Sequence, residues 1–459
     1  MQPQTRSEML GQMNVKKLLF KLSIPATVAM FVNALYNFVD TLFVSWSDGE
    51  IAIGALSIAF PIQMIVIAIG LMIGMGSASV FSRAYGRGDE DAMRRVVNTA
   101  ILVTLVLSVV ITTIGLLLLD DLLRFFGATA SNIEYARDYL RLILIGLTPF
   151  SLSLVFNNLT RAEGRANVAM ISLIIGAGLN IILDPFFIFD FGLGMGVSGA
   201  ALATVISKTA SFVFIFTMAL RPSSTLSVNL KKLYKVDIKM IGEISAIGLP
   251  TFVRNILGAI LVIIINNLIN YYASGDPAIY ISIYGVITRM IMFSLLPGLG
   301  LVQGLTPIVG FNFGAKFHKR LYEVIDYATK LLVIYFFSAS IIVIIFSEYI
   351  FLMFSGSVNS NYFIEYGTMA LRIVALGFTM ISFQVLLSSV YQAMGYAVRA
   401  FFVALSRQFF LFIPLAFLLT YWVGLNGVWW AFVLADVIAG LLSFIVYLYE
   451  MKDLKQKIA

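Results

Sequence analysis

The chain has 459 residues, of which 60% are hydrophobic and 12% are charged, and its mean hydropathy is +0.95. Soluble domains carry about twice that share of charge, which argues against a water-soluble protein. The net charge is +7, but the basic residues lie between apolar blocks, so we expect no nucleic-acid partner. Without cysteine, Walker A motif or any histidine but His318, the sequence argues against an enzyme, an ATP-driven pump or a bound cofactor.

Apolar segments recur along the chain at the length that a membrane span requires. A bilayer core of about 30 Å needs a helix of about 20 mostly apolar residues. The segments lack the period-two alternation of membrane β-strands. Met1 to Lys17 lacks the apolar region and cleavage site of a signal peptide, so the first span is expected to be retained. The sequence predicts an all-α integral membrane protein with twelve transmembrane helices, near residues 18–45, 52–80, 96–119, 134–158, 166–189, 197–220, 244–270, 278–305, 323–347, 364–389, 397–421 and 426–448.

Basic residues occupy alternate connections between the predicted spans. Those connections and the two ends of the chain carry Arg6, Lys16, Lys17, Arg83, Arg87, Arg94, Arg95, Arg161, Arg165, Arg221, Lys231, Lys232, Lys235, Lys239, Lys316, Lys319, Arg320, Lys452, Lys455 and Lys457. The remaining connections carry mainly Asp and Glu, with Arg124 as the one clear basic exception. Because Lys and Arg mark cytoplasmic loops, we expect a multi-pass plasma-membrane protein with both termini in the cytoplasm.

Several motifs recur in the same order, between about 225 and 231 residues apart. The matched motifs are Tyr85-Gly86-Arg87-Gly88 with Phe313-Gly314-Ala315-Lys316, Ala162-Glu163-Gly164 with Ala393-Met394-Gly395, Gly196-Val197-Ser198-Gly199 with Gly424-Leu425-Asn426-Gly427, and Pro25 with Pro250. Because six spans is an even number, both copies insert in the same orientation, as a parallel repeat. The predicted organisation is a six-helix lobe over 1–220, a cytoplasmic linker over 221–243 and a second, pseudo-symmetric six-helix lobe over 244–459.

Polar side chains fall at a common depth in three spans of the first lobe. They are Asn33, Asn37 and Asp40 in the first span, Asn180 and Asp184 in the fifth, and Thr204, Ser207 and Lys208 in the sixth. At 1.5 Å per residue, Asp40, Asp184 and Thr204 lie roughly 7–9 Å below the outer boundary. Ionisable residues inside a membrane are costly and mark functional sites by default. We therefore predict one site that contains Asp40, Asn180, Asp184, Thr204 and Asn37.

Two interpretations of this site are open. The polar groups could form a hydrogen-bond network that only orients the helices. Alternatively, because two acids in a dry site cannot both ionise cheaply, the pair can take up a proton or bind Na⁺ together with the oxygens of Asn180 and Thr204. Pro25 removes a backbone donor and is expected to bend the first helix, either as a fixed kink or as one that responds to the charge on Asp40.

The spans of the second lobe carry mainly basic residues. They are Arg254, Arg289, Arg372 and Arg407, with Asp436 as the one acid. A buried ion pair between Asp436 and one of the arginines is the expected arrangement. The roles of the other arginines are open. Coupling to a cation is better placed in the first lobe.

At these residues the chain resembles the multidrug and toxic compound extrusion (MATE) transporters, and more closely their DinF-like branch. The resemblance covers essentially the whole chain. The matching motifs are Ile24-Pro25 and Tyr36-Asn37-Phe38-Val39-Asp40-Thr41, Arg161-Ala162-Glu163-Gly164-Arg165, Gly178-Leu179-Asn180-Ile181-Ile182-Leu183-Asp184-Pro185, and Gly196-Val197-Ser198-Gly199-Ala200-Ala201. The resemblance implies that Asp40, Asn180 and Asp184 are coupling residues and that Thr204 assists them. The seventh-helix carboxylate of the NorM-like branch is absent here, which puts a second-lobe Na⁺ site in doubt.

The resemblance also implies a function. It indicates a secondary active antiporter that exports small organic compounds, often lipophilic cations, in exchange for H⁺ or Na⁺ by alternating access. We expect it to act as a monomer in the lipid bilayer. The alternative is a flippase of the same superfamily for lipids or lipid-linked oligosaccharides, which the second-lobe arginines leave open. A receptor or channel is a third possibility, against which the repeat and the paired acids argue.

Overall fold

The computed structural model describes residues 6–47, 49–128, 132–226, 228, 237–354 and 361–458, and in these residues all regular secondary structure is helical. A π-helical segment, Ser406–Phe412, follows the helix that ends at Leu405. The helices are α1 (Arg6–Gln12), α2 (Val15–Ser47), α3 (Gly49–Arg87), α4 (Glu90–Leu117), α5 (Leu119–Phe125), α6 (Ile133–Ile145), α7 (Leu147–Ala162), α8 (Ala166–Ile188), α9 (Gly196–Ala219), α10 (Ile238–Tyr272), α11 (Pro277–Gly314), α12 (His318–Phe354), α13 (Asn361–Ala375), α14 (Phe378–Met394), α15 (Ala397–Leu405), α16 (Ile413–Val423) and α17 (Asn426–Gln456).

Twelve membrane spans follow from these helices. Ten described helices, with α15 to α16 counted as one, are long and apolar enough to cross a bilayer. Two further spans are bent pairs, α6 with α7 at 53° and α13 with α14 at 45°. The predicted all-α membrane fold with twelve helices is therefore confirmed, although the predicted spans 134–158 and 364–389 are each divided by a bend.

The two bends occupy equivalent places in the two halves of the chain. They lie at Gly146 and Gly377, which are 231 residues apart. A Cβ on Gly146 would lie 2.5 Å from the side chain of Val205 in α9, and one on Gly377 would lie 2.8 Å from Asp436 in α17. Each bend thus needs glycine because the chain passes close to the last span of its own half. This recurrence agrees with two pseudo-symmetric lobes.

The boundaries of the lobes stay predictions. In the structure α9 ends at Ala219 and α10 begins at Ile238. Nine of the 23 residues of the predicted linker, at positions 227 and 229–236, lie outside the described residues, as do residues 1–5 at the start of the first lobe and residue 459 at the end of the second.

A buried acid holds α1 against the turn between α7 and α8. Glu163, in the turn between α7 and α8, is 0% exposed. It pairs with Arg6 of α1 and accepts hydrogen bonds from Ser224 Oγ at 3.1 Å and from the backbone N–H of Thr225 at 2.6 Å. Since α1 also packs beside Phe311 near the end of α11, these segments meet at one end of the bundle. We call it the basic end, because the basic connections lie there.

The lobes meet along a seam near the basic end. There α2 packs along α11, while α3 packs along α10 and α11. A Cβ on Gly304 would lie 2.3 Å from Ser23 Oγ, and one on Gly76 would lie 2.0 Å from the carbonyl oxygen of Ile244. Only glycine permits such close approach of two helix backbones. Across the same seam, Ser79 Oγ donates a 2.5 Å hydrogen bond to the carbonyl oxygen of Gln392.

Away from the basic end, exposed polar side chains on α2 and α11 indicate a cleft between the lobes. Asn37 shares the face of α2 that meets the seam, because at about 100° per residue it lies within about 40° of Ser23. Arg289 shares the face of α11 that carries Gly300, about three turns away. Both side chains are exposed, at about the same height above the seam. An exposed arginine at this depth faces water rather than lipid. The cleft therefore lies between α2 and α11 and opens away from the basic end.

Candidate functional site

The first lobe brings together four of the residues that the sequence singled out. Asn180 Nδ2 donates to Asp184 Oδ1 at 3.0 Å and to Thr204 Oγ1 at 3.3 Å. The carboxyl group of Asp40 lies within hydrogen-bonding distance of that of Asp184. We call Asp40, Asn180, Asp184 and Thr204 the carboxylate cluster. It joins α2, α8 and α9.

Helical spacing and packing explain this convergence. Asn180 and Asp184 are one turn apart, so both project from one face of α8. That helix packs against α9 on one side and α2 on the other. Asn180 and Asp184 are both 0% exposed, and Thr204 is buried as well. Two carboxyl groups are therefore held in contact inside the first lobe, away from lipid.

Three further polar residues surround the carboxylate cluster. Tyr36 lies one turn before Asp40 on α2, is buried, and its hydroxyl lies beside that of Thr204. Tyr139 of α6 is also buried, lies beside Gln63 of α3, and is close enough to Asp40 and Asp184 to interact electrostatically. The sequence interpretation missed all three. Tyr36 could have been found from its spacing to Asp40, whereas the approach of α6 and α3 depends on tertiary packing.

Lys208 adds a positive charge beside the carboxylate cluster. It lies one turn after Thr204 on α9 and is half-buried. Its Nζ is 4.5 Å from the ring centre of Tyr36 and 5.7 Å from that of Phe150, and it interacts electrostatically with Asp40. A cation over an aromatic face is attracted by the ring quadrupole. The ammonium is thus held near Asp40 by both the rings and the carboxyl group.

The carboxylate cluster has spare capacity for a cation. Within the described residues, the buried atoms Asp40 Oδ1, Asn180 Oδ1 and Asp184 Oδ2 have no hydrogen-bond partner. Buried oxygens without partners are costly, so their presence points to a proton or an ion. Carboxylate, amide and hydroxyl oxygens are the donors that a hard cation such as Na⁺ prefers. The residues therefore fit either H⁺ or Na⁺.

The structure places Asn37 and Pro25 apart from the carboxylate cluster. The Asn37 side chain is exposed, faces the cleft and donates to the carbonyl oxygen of Asn33 at 2.8 Å. It lies about 60° around α2 from Asp40, which is enough to separate the cleft face from the cluster face. Pro25 lies inside α2, which continues through it as one helix. Asn37 therefore lies on the wall of the cleft, and not in the carboxylate cluster as predicted.

The ionisable residues of the second lobe are spread out rather than clustered. Arg407, on the π-helical segment, pairs with buried Asp436, which confirms the expected ion pair. Arg372 donates to Ser347 Oγ at 2.9 Å, and Arg254 is half-buried on α10. Arg289 alone of these arginines is placed on the wall of the cleft.

Two multidrug export proteins align with nearly the whole chain. The multidrug export protein MepA of Staphylococcus aureus (strain MSSA476) is 27% identical over 96% of this chain and 94% of its own length. The protein of the same name from Staphylococcus haemolyticus (strain JCSC1435) is 29% identical over 95% of this chain and 94% of its own.

Solved structures agree with this alignment. The outward-facing conformation of a multidrug resistance MATE family transporter of the MOP superfamily has a TM-score of 0.90 and 26% identity, covering 99% of this chain and 100% of that one. A crystal structure of MATE in complex with MaL6 has a TM-score of 0.91, with the same identity and coverage. The MatE family model matches residues 25–186 and 250–418, one segment in each half. Because this match covers more than half of the sequence, the chain belongs to the MatE family of membrane transporters.

Proposed function

We propose that this protein is a secondary active multidrug antiporter that exports organic compounds, often lipophilic cations, in exchange for H⁺ or Na⁺. The names of its relatives, multidrug export protein and multidrug resistance transporter, support export. The observation that carries the exchange is the contact between Asp40 and Asp184, with unpartnered oxygens around it. A transporter that had no cation to carry would gain nothing from this costly arrangement.

One helix links the cation to the substrate. Asp40 projects from α2 toward Asp184, and Asn37, one turn away, projects from the same helix into the cleft. A change in the charge on Asp40 therefore acts on a helix that also forms a wall of the cleft. Protonation of the acids, or Na⁺ binding there, weakens the binding of the substrate and triggers its release. The cation can drive this step only because it binds the two conformations with different affinity.

The seam and the cleft support alternating access. In the described conformation the lobes are closed at the basic end and parted at the other. We propose that the basic end and both termini are cytoplasmic, so that this conformation opens outward. In the opposite state the seam separates and substrate enters from the cytoplasm or the inner leaflet. The protein then works as a monomer in the plasma membrane, and membership of the DinF-like branch stays a prediction.

The assignment of Asp40 is tested by Asp40→Asn in a drug-sensitive host. We expect the variant to lose resistance to organic cations while its amount in the membrane stays unchanged, because the amide can neither release a proton nor balance Na⁺. Asp190→Asn is the matched control, since Asp190 is exposed beyond the end of α8. Normal resistance in the Asp40 variant would refute the assignment. Uptake in proteoliposomes under an imposed pH gradient, with and without sodium, identifies the ion.

The alternative function is a flippase for lipids or lipid-linked oligosaccharides. One observation favours it, namely the exposed Arg289 on the cleft wall, because guanidinium groups bind phosphate through paired hydrogen bonds. The two functions differ in what the cleft accepts. Binding of a fluorescent cationic dye, competed by low pH, supports export. Rescue of cell-envelope synthesis in a flippase-deficient strain supports flipping.

A further inference from the structure

The charges around the carboxylate cluster are unequal in number. Asp40 and Asp184 supply two carboxyl groups, and Lys208 of α9 supplies one ammonium group. The other titratable groups that face the pair from the packed helices are the phenols of Tyr36 and Tyr139. When both acids are ionised and Lys208 is protonated, the net charge of the site is −1.

Among the described residues, Lys208 has no ion-pair partner of its own. In the described part of the chain its ammonium group forms neither a salt bridge nor a hydrogen bond. It is held instead over Tyr36, at 4.5 Å from the ring centre, and the hydroxyl of that tyrosine lies beside Thr204 of the carboxylate cluster. The lysine therefore lies beside Asp40, which is itself in contact with Asp184, and forms no ion pair of its own among the described residues.

The second lobe shows the contrasting arrangement. There Asp436 and Arg407 form a one-to-one ion pair, with Asp436 buried. Such a pair is electrically complete and needs no further cation. The first lobe also has one base at its site, Lys208, but two acids, Asp40 and Asp184, so the charges do not cancel.

We propose that Lys208 is an internal counter-cation that supplies one of the two positive charges needed by Asp40 and Asp184, so that the site exchanges a single monovalent cation in each cycle. Because an uncompensated charge inside a membrane is costly, the site is most stable when its charges sum to zero. One H⁺ or one Na⁺ achieves that balance beside a charged lysine. The inference rests on the proposed antiport and specifies its stoichiometry.

The number of exchanged cations can be measured in proteoliposomes. Ethidium, a monovalent organic cation, is exported against an imposed gradient of the coupling ion, and the cations moved per ethidium are counted. We expect one for the wild type, with a rate that does not respond to membrane potential, because one charge leaves as one enters. Lys208→Met should raise the count to two and make the rate depend on potential. Lys208→Arg, which keeps the charge, should behave as the wild type.

A second measurement does not depend on transport. Each bound cation stabilises the folded state in proportion to the logarithm of its concentration. A tenfold rise in coupling-ion activity should therefore lower the unfolding constant in detergent about tenfold more for Lys208→Met than for the wild type. Other titrating groups are common to both proteins and cancel in the comparison. If Lys208→Met does not fold, Lys208→Gln takes its place.

The outcomes separate the two proposals. Equal slopes for the wild type and the methionine variant overturn the role of Lys208, as does a wild-type count of two. A slope that is larger by one for Lys208→Met, without any ethidium transport in either protein, leaves the counter-cation intact and contradicts the antiport. A lysine that only packs against Tyr36 would change neither the count nor the slope when its charge is removed.

Discussion

Thr204 is the residue through which the carboxylate cluster is joined. Its hydroxyl accepts a hydrogen bond from Asn180 of α8 and lies beside the hydroxyl of Tyr36 of α2. Three helices thus meet at this oxygen, at the level of the two acids. Because Asn180 also donates to Asp184, loss of the Thr204 hydroxyl frees the amide that positions one of the carboxyl groups.

Thr204→Val tests this link, since it removes the hydroxyl and keeps the shape. A net hydrogen bond contributes about 1 kcal/mol, so we expect about fivefold to tenfold weaker affinity for the coupling cation. The measurement is the cation concentration that gives half-maximal ethidium efflux. Thr209→Val is the control, because that hydroxyl donates to the Val205 carbonyl oxygen of its own helix at 2.7 Å. A similar loss in both variants, or none in Thr204→Val, contradicts the role.

Spacing along single helices predicts part of this site. The pairing of Asn180 with Asp184, and their level with Asp40, follows from helical geometry and the span boundaries. The same geometry assigns Asn37 to the cluster, yet its angle around α2 carries it to the cleft. The contact of Tyr139 and the position of Lys208 over Tyr36 depend on how α6, α9 and α2 pack, which no local pattern in the sequence encodes.

At the level of elements, the two bends and the π-helical segment change where side chains point. The sequence around Gly146 and Gly377 reads as continuous apolar spans, because the cause of each bend is a distant residue, Val205 or Asp436, that leaves no room for a Cβ. The π-helical segment Ser406–Phe412 adds a wider turn that carries Arg407 toward Asp436. Such turns are rare and frequently occur at functional sites.

The ion pair of Arg407 with Asp436 yields a prediction about stability. Asp436→Asn leaves a guanidinium without its counter-charge inside the second lobe, which should cost roughly 3–5 kcal/mol of unfolding free energy. Replacing both partners, Arg407→Met with Asp436→Leu, should recover most of that loss, because neither charge then needs a partner. Denaturation in detergent measures both.

An exposed ion pair provides the control. Glu90→Gln breaks the pair between Glu90, whose side chain is 76% exposed, and Arg94, whose side chain is 54% exposed. We expect it to lower the free energy of unfolding by about 1 kcal/mol or less. If Asp436→Asn is no more harmful than Glu90→Gln, the second-lobe pair is not an important part of the fold. If the double replacement remains as unstable as Asp436→Asn, the two residues do not act as a pair.

For the whole molecule, the number of spans and the repeat follow from the sequence, but the conformation does not. Apolar length sets the count and recurring glycine motifs set the two lobes. Which end is closed depends on the match between Ser23 and Gly304 and between Gly76 and Ile244, residues far apart in the chain. A transporter must also form the opposite state with the same residues, so one sequence specifies two packings of these helices.

The absence of cysteine makes the closed seam directly testable. Ser79 Oγ lies 3.2 Å from the carbonyl oxygen of Ala393 across the seam, so Ser79→Cys with Ala393→Cys should be linked by oxidation or by a short thiol cross-linker. The link holds the basic end closed, and ethidium efflux should fall to the background rate and return with reductant. Each single variant should keep its efflux under the same treatment.

A second cysteine pair reports on the cleft. Asn37→Cys with Arg289→Cys places thiols on facing helices at the same height, where the described conformation is open. This pair should therefore link slowly at first and faster when bound substrate or coupling cation shifts the protein toward the opposite state, because ligands act by changing the populations of the two conformations. The extent of cross-linking on a gel measures the shift. If both pairs link equally fast under every condition, the lobes do not alternate about the seam, and the cleft is not the path of transport.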